Sequence, residues 1–283
     1  MRAIGVMEHG GPDALEIVEL PDPAPAPGQV LVRVRAAAVN PTDTILRSGA
    51  RRPQQGHTPP YVPGMDVAGE LVAIGEGTAT TLGIGDRVMA IVLPSGSHGG
   101  YSELLALPAG SVTRAPAGTT HAEAATLPMN GLTARLTLDL LGLSPGAVLA
   151  VTGAAGAYGG DVIELAKADG LTVIADAAPA DEELVRSLGA DHVVPRGDDV
   201  ADHIRSVAPD GVDALADGSV QNELLLPAVR DGGGFATVRG FRYDAPRGIT
   251  IHEVWVRDYL ERWEALDRLR ALAEAGQITL RVA

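Results

Sequence analysis

Apolar positions recur with two different periods along this chain, and the change between them falls near residue 120. Before it, Gln29–Ala38 alternates Val and Leu with Arg, the period-two pattern of a half-buried strand. Val67–Ile74 and Asp86–Leu93 predict further strands, punctuated by the glycine-rich turns Gly75–Gly77 and Gly83–Gly85. Short strands at this spacing predict a barrel-like, β-rich domain. Pro21–Pro27 is a proline-rich connector, and Arg51–Pro60, polar with three prolines, predicts a loop.

Beyond residue 120 the pattern becomes alternately strand-like and helix-like. Thr120-His-Ala-Glu123 has the spacing of a capping box that opens a short helix. Strand Val148–Thr152 leads to helix Ala157–Ala168, and strand Leu171–Ala175 to helix Ala180–Leu188, with Gly189 as its stop. Strands follow at His192–Val194, Ala214–Ala216, Phe235–Val238 and Ile249–Val256. Asp258–Ala275 predicts an amphipathic helix with Leu260, Trp263, Leu266, Leu269 and Leu272 near one face. Such alternation implies a parallel sheet with right-handed crossovers. The fold class expected is α/β, with a β-rich domain over 1–120 and a parallel-sheet domain over 121–277.

Composition narrows the function classes. A length of 283 residues fits about two domains. The aromatic share is 3% against 46% hydrophobic, so Val, Leu, Ile and Ala must fill the cores. Net charge is −14, which opposes nucleic acid or an anionic membrane as a partner, because phosphate binding needs clustered Lys and Arg. With no cysteine, disulfides and thiolate zinc sites are excluded. No apolar run reaches the ~18 residues of a membrane span, and the first residues show no signal-peptide pattern. The expected location is the cytoplasm.

The chemistry is concentrated in Ala147-Val-Leu-Ala-Val-Thr-Gly-Ala-Ala-Gly-Ala-Tyr-Gly159. Here an apolar strand runs into Gly153, Gly156 and Gly159, and a helix starts at once. Those glycines permit a tight turn, close approach of a ligand to the backbone and close helix–strand packing, so that a dinucleotide pyrophosphate can rest on the helix N-terminus. Asp176 closes the next strand about 20 residues on, the offset of a ribose ligand. Ala157 and Tyr158 lie in the first helical turn. Tyr158 either packs on the sheet or lines the cofactor groove.

Several stretches in order resemble one family: Val39-Asn-Pro-Thr-Asp43, Pro63-Gly-Met-Asp-Val-Ala-Gly69, Gly85-Asp-Arg-Val88, Gly99-Gly-Tyr-Ser-Glu103, Ala124-Ala-Thr-Leu-Pro-Met-Asn-Gly-Leu-Thr-Ala134 and the glycine motif. The chain resembles the zinc-independent medium-chain dehydrogenases/reductases of the quinone oxidoreductase (zeta-crystallin-like) group. The resemblance implies a GroES-like catalytic domain over 1–120, a Rossmann domain over 121–277 and an active site between them. It also implies a return to the first domain from about 278–283, with a further helix and strand beyond, and a homodimer paired through strand 249–256.

The activity implied is hydride transfer from NAD(P)H to a small quinone or α,β-unsaturated carbonyl, without metal. The zinc relatives' ligand regions are occupied here by Asn40-Pro-Thr-Asp43 and Gly64-Met-Asp66. Conjugation in such an acceptor spreads the charge that a zinc ion stabilises in alcohol dehydrogenation. An enoyl-thioester reductase and a non-catalytic cofactor-binding protein share the fold and stay open as alternatives.

Residue by residue, the resemblance places Asn40 and Asp43 at the active site. Asn40 orients the nicotinamide amide or acceptor carbonyl, or simply forms a turn before proline; Asp43 is catalytic, or an N-cap or salt-bridge partner. Thr126, Gly240 and Phe241 are expected near the nicotinamide. Tyr61 and Tyr101 are proton donors or cleft walls. Ile45 and Arg51 replace tyrosines common in relatives, so acceptor specificity does not carry over. Asp176, followed by Asp181, Glu182 and Glu183, favours NADH by hydrogen bonding the ribose and repelling a 2′-phosphate. The alternative is that Asp176 caps the following segment and Arg196 or Arg239 binds phosphate.

Overall fold

The computed structural model describes residues 1–50 and 57–282. Arg51, and with it the first part of the loop expected at 51–60, lies outside the described residues. The chain divides into two units: Met1–Met129 with Arg257–Glu274 and Leu280–Ala283, and Asn130–Val256 with Ala275–Thr279.

In the first unit, β1 (Arg2–Val6) and β2 (Leu15–Glu19) form an antiparallel pair. The main strands are β3 (Gln29–Ala37), β4 (Asp66–Ile74), β5 (Arg87–Ile91), β6 (Leu104–Pro108) and β7 (Val112–Arg114). They form an antiparallel sheet ordered β6-β3-β4-β5-β7. Val30 and Val32 of β3 are buried while Arg33 and Arg35 are exposed, so the alternation in sequence is an alternation of faces. Val67, Leu71, Val88, Leu105 and Leu107 join them in an aliphatic core. Helix α1 (Pro41–Ser48) leaves the end of β3, and α2 (His121–Ala125) opens with the Thr120–Glu123 capping box read from the sequence.

Helix α3 (Pro128–Leu141) starts at the unit boundary. The second unit then alternates β8 (Val148–Thr152), α4 (Ala157–Ala168), β9 (Thr172–Ala177), α5 (Glu182–Ser187), β10 (His192–Pro195), α6 (Val200–Val207), β11 (Val212–Asp217), β12 (Val229–Thr237) and β13 (Thr250–Glu253). Every neighbouring pair in this sheet is parallel, in the order β10-β9-β8-β11-β12-β13. The chain fills one side of β8 and then crosses back to fill the other, so strand order reverses between β8 and β11. Open α/β sheets bind ligands in the crevice outside the carboxyl ends of the strands at such a reversal. Phe235, fully buried, packs with Ile174, Ile204, Leu215 and Val229 beneath it.

Four of the boundaries that differ from the sequence reading bear on the site or the division into units. β9 runs on through Ala177, so Asp176 lies within the strand. β12 begins at Val229, which pairs with Val212; the register with β11 shifts across the glycine run and resumes at Gly234, which pairs with Ala214 and Thr250. Only Thr250–Glu253 of the stretch 249–256 is strand; it pairs with β12 and forms the sheet's edge, and a 3-10 turn, Val256–Tyr259, follows. The last helix, α7 (Trp263–Glu274), therefore starts later than Asp258. It belongs to the first unit rather than to the expected 121–277 span. Thr113 Oγ1 donates to Asp267 at 3.0 Å, the Ala117 N–H to Glu274 at 2.8 Å, and Leu266 and Leu269 are buried. Among the described residues no helix is long and apolar enough to cross a membrane.

Candidate functional site

The glycine turn follows β8 directly. Gly153 has φ +66°, and a Cβ there would lie 2.7 Å from the carbonyl carbon of Gly218, so only glycine fits both the backbone and the space. A Cβ on Gly159 would strike the Gly153 carbonyl oxygen. Gly156 is the N-cap of α4; it and Ala157 are exposed, and the first turn carries no acidic side chain. This end of a twelve-residue helix is therefore positive, without a carboxylate of its own to occupy it. The two crowded glycines hold the turn low and the exposed one leaves its top open, which fits a dinucleotide pyrophosphate.

Asp176 sits under that turn. It is 5% exposed, and its Oδ1 accepts the Ala154 N–H at 3.0 Å. Burial raises its pKa, while bonds from the Ala154 and Gly153 N–H groups and the Arg196 charge pull it back. The side chain expected at the ribose thus also anchors the turn in front of it, and what it caps is the preceding turn, not the following segment. Arg196 and Arg239 are exposed.

The Tyr158 hydroxyl is 2.9 Å from Thr137 Oγ1 on α3, and its ring lies against Gly218. Burial is the chief reason its pKa is raised. This is a packing role, tying α4 to α3. Gly240, at φ +74°, lies where a Cβ would meet the Trp255 ring at 3.0 Å. Phe241 is half-buried between the Phe235 edge at 6.3 Å and the Tyr243 ring at 5.5 Å.

In the first unit, four polar side chains converge at the start of α1. Asn40 and Asp43 make a capping box in which the Asn40 N–H donates to Asp43 Oδ2 at 2.8 Å. Asp43 also accepts the Gly64 N–H at 2.9 Å and the Tyr101 hydroxyl at 3.2 Å. The Asn40 amide donates to Asp66 Oδ2 at 2.6 Å, and Asp66 Oδ1 accepts the Met129 N–H in the first turn of α3. Asn40, Asp43 and Asp66 are all buried. Burial pushes the Asp66 carboxyl up to about 7 against its hydrogen bonds, and the nearby Asp43 adds to the rise. Burial raises Asp43 as well, and burial followed by the Asp43 charge raises Tyr101.

Tyr61 stands apart from this cluster: its hydroxyl donates to the His57 carbonyl at 3.2 Å, and its ring stacks on His9 at 5.2 Å. Thr126 closes α2, its hydroxyl donating to the Glu123 carbonyl at 2.8 Å. Sequence reasoning left Asp66 and Asp217 out of the site. Their signal was a carboxylate at one end of a mostly apolar strand, where burial needs a partner. Among the described residues no group of three or more His, Asp or Glu side chains is placed to hold a metal ion.

Comparison with known proteins adds independent observations. Residues 26–117 match the alcohol dehydrogenase GroES-like domain. The chloroplastic quinone-oxidoreductase QR1 of Triphysaria versicolor is 35% identical over 201 residues, which is 69% of this chain and 60% of that protein. The chain thus spans about 60% of the length of that relative. The quinone oxidoreductase of Rattus norvegicus is 36% identical over 238 residues, 80% of this chain and 70% of that protein. A mycobacterial protein whose structure is complexed with NADPH is 26% identical, with a TM-score of 0.85, over 100% of this chain and 91% of that one.

Proposed function

The chain belongs to the zinc-independent quinone oxidoreductase family of medium-chain dehydrogenases/reductases, and we propose that it transfers a hydride from NAD(P)H to a quinone or α,β-unsaturated carbonyl. The observation that carries this reading is the glycine turn at the sheet's reversal, solvent-exposed at Gly156 and Ala157 and with no acidic side chain in the first turn of α4. A bound dinucleotide supplies the hydride. Gly156, Ala157 and the first turn of α4 receive its pyrophosphate, Gly153 and Gly159 keep the turn compact, and Gly240 and Phe241 border the nicotinamide.

Asn40 and Asp43 serve the acceptor side as positioning groups. The buried bonds among Asn40, Asp43, Asp66 and Tyr101 spend their donors and acceptors on holding the start of α1. Water delivers the proton that completes reduction of the acceptor, and Tyr61 walls the cleft. A second copy pairs along edge strand β13, which is bonded on one side by β12.

The same reading assigns NADH as the preferred donor. Asp176, with Asp181, Glu182 and Glu183 just beyond it, places negative charge where a 2′-phosphate would arrive. Paired titrations with NADH and NADPH should show NADH binding about tenfold tighter, and Asp176→Ser should close that gap. An unchanged ratio in the variant would remove Asp176 from cofactor choice. Failure of the wild type to oxidise either cofactor with every member of a quinone and enone panel would remove the activity.

A further inference from the structure

Thr152 ends β8 and Asp217 ends β11, and the two are register partners across the point where strand order reverses. Asp217 is fully buried. Its Oδ1 accepts the Thr152 hydroxyl at 3.0 Å, the Ser219 hydroxyl at 2.9 Å and the Val220 N–H at 2.7 Å; its Oδ2 accepts the Asn222 N–H at 2.8 Å. The loop it holds is unusual. Val220 (φ 61°) and Asn222 (φ 54°) both lie in the left-handed region, which a β-branched residue rarely enters without being held there. At its start, Gly218 presses against Gly153 of the glycine turn. Two buried polar atoms nearby have no hydrogen-bond partner: Asn222 Oδ1 on the loop, and the hydroxyl of Thr237, the register partner of Asp217 on β12.

We propose that Asp217 is a positioning residue for the dinucleotide. Its carboxylate draws the backbone of 218–222 against the glycine turn and so sets the β11 wall of the crevice that receives the nicotinamide half of the ligand. The adenosine half belongs to the other side of the reversal, beside β9 and Asp176. The inference rests on the dinucleotide reading above. An all-acceptor group is required here because four donors converge on it; an amide of the same shape would turn a donor toward some of them.

The test is Asp217→Asn, read by three measurements on the full chain. In the ligand-free protein, hydrogen exchange at the Val220 and Asn222 amides should quicken about tenfold, the scale of losing a charge-assisted hydrogen bond. In fluorescence and calorimetric titrations, NADH and NADPH should bind about tenfold more weakly, while AMP should change less than about twofold. A purely structural role would weaken AMP and the dinucleotides together, so equal losses overturn the proposal. Unchanged exchange with unchanged dinucleotide binding overturns it too. Should Asp217→Asn not fold, Ser219→Ala removes one of the four donors and should give the same split at about threefold; a wild-type profile there is equally fatal. Wild-type protein that binds neither dinucleotide would defeat the function reading instead, and the exchange measurement would still judge the loop.

Discussion

Asn40–Asp43 in the first unit and Gly153–Gly159 in the second each open a helix straight after an extended segment, yet the two helix starts are finished in opposite ways. At α1, Asn40 and Asp43 cap the N-terminus, and Gly64, Tyr101 and Asp66 complete the bonding around them. At α4 the cap is a glycine, the first turn has no acid, and Asp176 lies beneath the turn instead of on top of it. A helix start whose orphan N–H groups already face a carboxylate has little left for an anion, whereas one capped by glycine keeps its positive end for a ligand. The same local geometry therefore makes a rigid support in one unit and a binding surface in the other, and the choice is made by which side chains stand over the first turn.

The comparison breaks most visibly if the glycine turn is filled. In Gly159→Ala the new methyl group would strike the Gly153 carbonyl oxygen, a backbone atom that cannot swing aside. Expected outcomes are a loss of about 3 kcal/mol in stability, typical of a rigid overpacked site, and a more than tenfold loss of dinucleotide affinity. Thermal unfolding and a cofactor titration measure the two. A variant that keeps wild-type affinity would show that the tightness of the turn is not what makes the surface.

How far the sequence revealed these two regions follows from what each is made of. The glycine turn was legible because its requirements lie in the backbone: Gly153 and Gly159 are dictated by contacts a Cβ would violate, and β8 and α4 were bounded correctly by the apolar run and the glycines alone. Of the first-unit cluster, Asn40, Asp43 and Tyr101 were legible, but Asp66 and the arrangement were not. Asn40 and Asp43 were expected either to face a ligand or to serve as a turn former and an N-cap; they form a capping box, and the Asn40 amide turns inward because Asp66, on a different strand and 26 residues from Asn40, supplies the buried acceptor. Tyr61 and Tyr101 looked equivalent in sequence; only Tyr101 reaches Asp43. Asp176 was expected to close its strand and instead lies one residue inside it, and its bond to Ala154 depends on how the turn folds back over β9. α7 read as a continuation of the second domain because neighbours in sequence usually pack together, whereas its partners are Thr113 and Ala117.

The first-unit cluster is tested through its protons. Asp66 titrates near 7 in the folded chain and near 3.9 when unfolded. Between those values the folded state binds the extra proton, so Asp66 contributes stability that is fully present below about pH 4 and is lost as pH rises to about 7. The slope from this one group reaches at most about 1.4 kcal/mol per pH unit. Asp43 and Asp176, also raised, act in the same direction. Burial lowers the pKa of His98, His121 and His252, which act in the opposite direction over part of this range, so the difference carries the test: in denaturant unfolding from about pH 4.5 to about 7 the wild type should lose stability relative to Asp66→Asn, and the difference should level above about pH 7. A variant whose slope matches the wild type between pH 5 and 7 would mean that Asp66 does not carry the buried proton.

The smallest expected effect falls on the residue that joins the two themes, Tyr158, which lies inside the glycine motif yet bonds like a support. Its hydroxyl meets Thr137 on α3, and its ring faces Gly218. Tyr158→Phe keeps the ring and removes the bond, leaving the Thr137 hydroxyl its second contact, the Thr133 carbonyl at 2.9 Å. The loss should be about 1 kcal/mol, the usual net value of one hydrogen bond, and dinucleotide affinity should shift by less than about twofold. If affinity fell tenfold with stability unchanged, the hydroxyl would be reaching the ligand rather than α3, and the first turn of α4 would be furnished by a side chain after all. A stability loss without an affinity loss keeps the division between the two helix starts intact, because a residue within the motif would then contribute only to the support on which the open glycine cap stands.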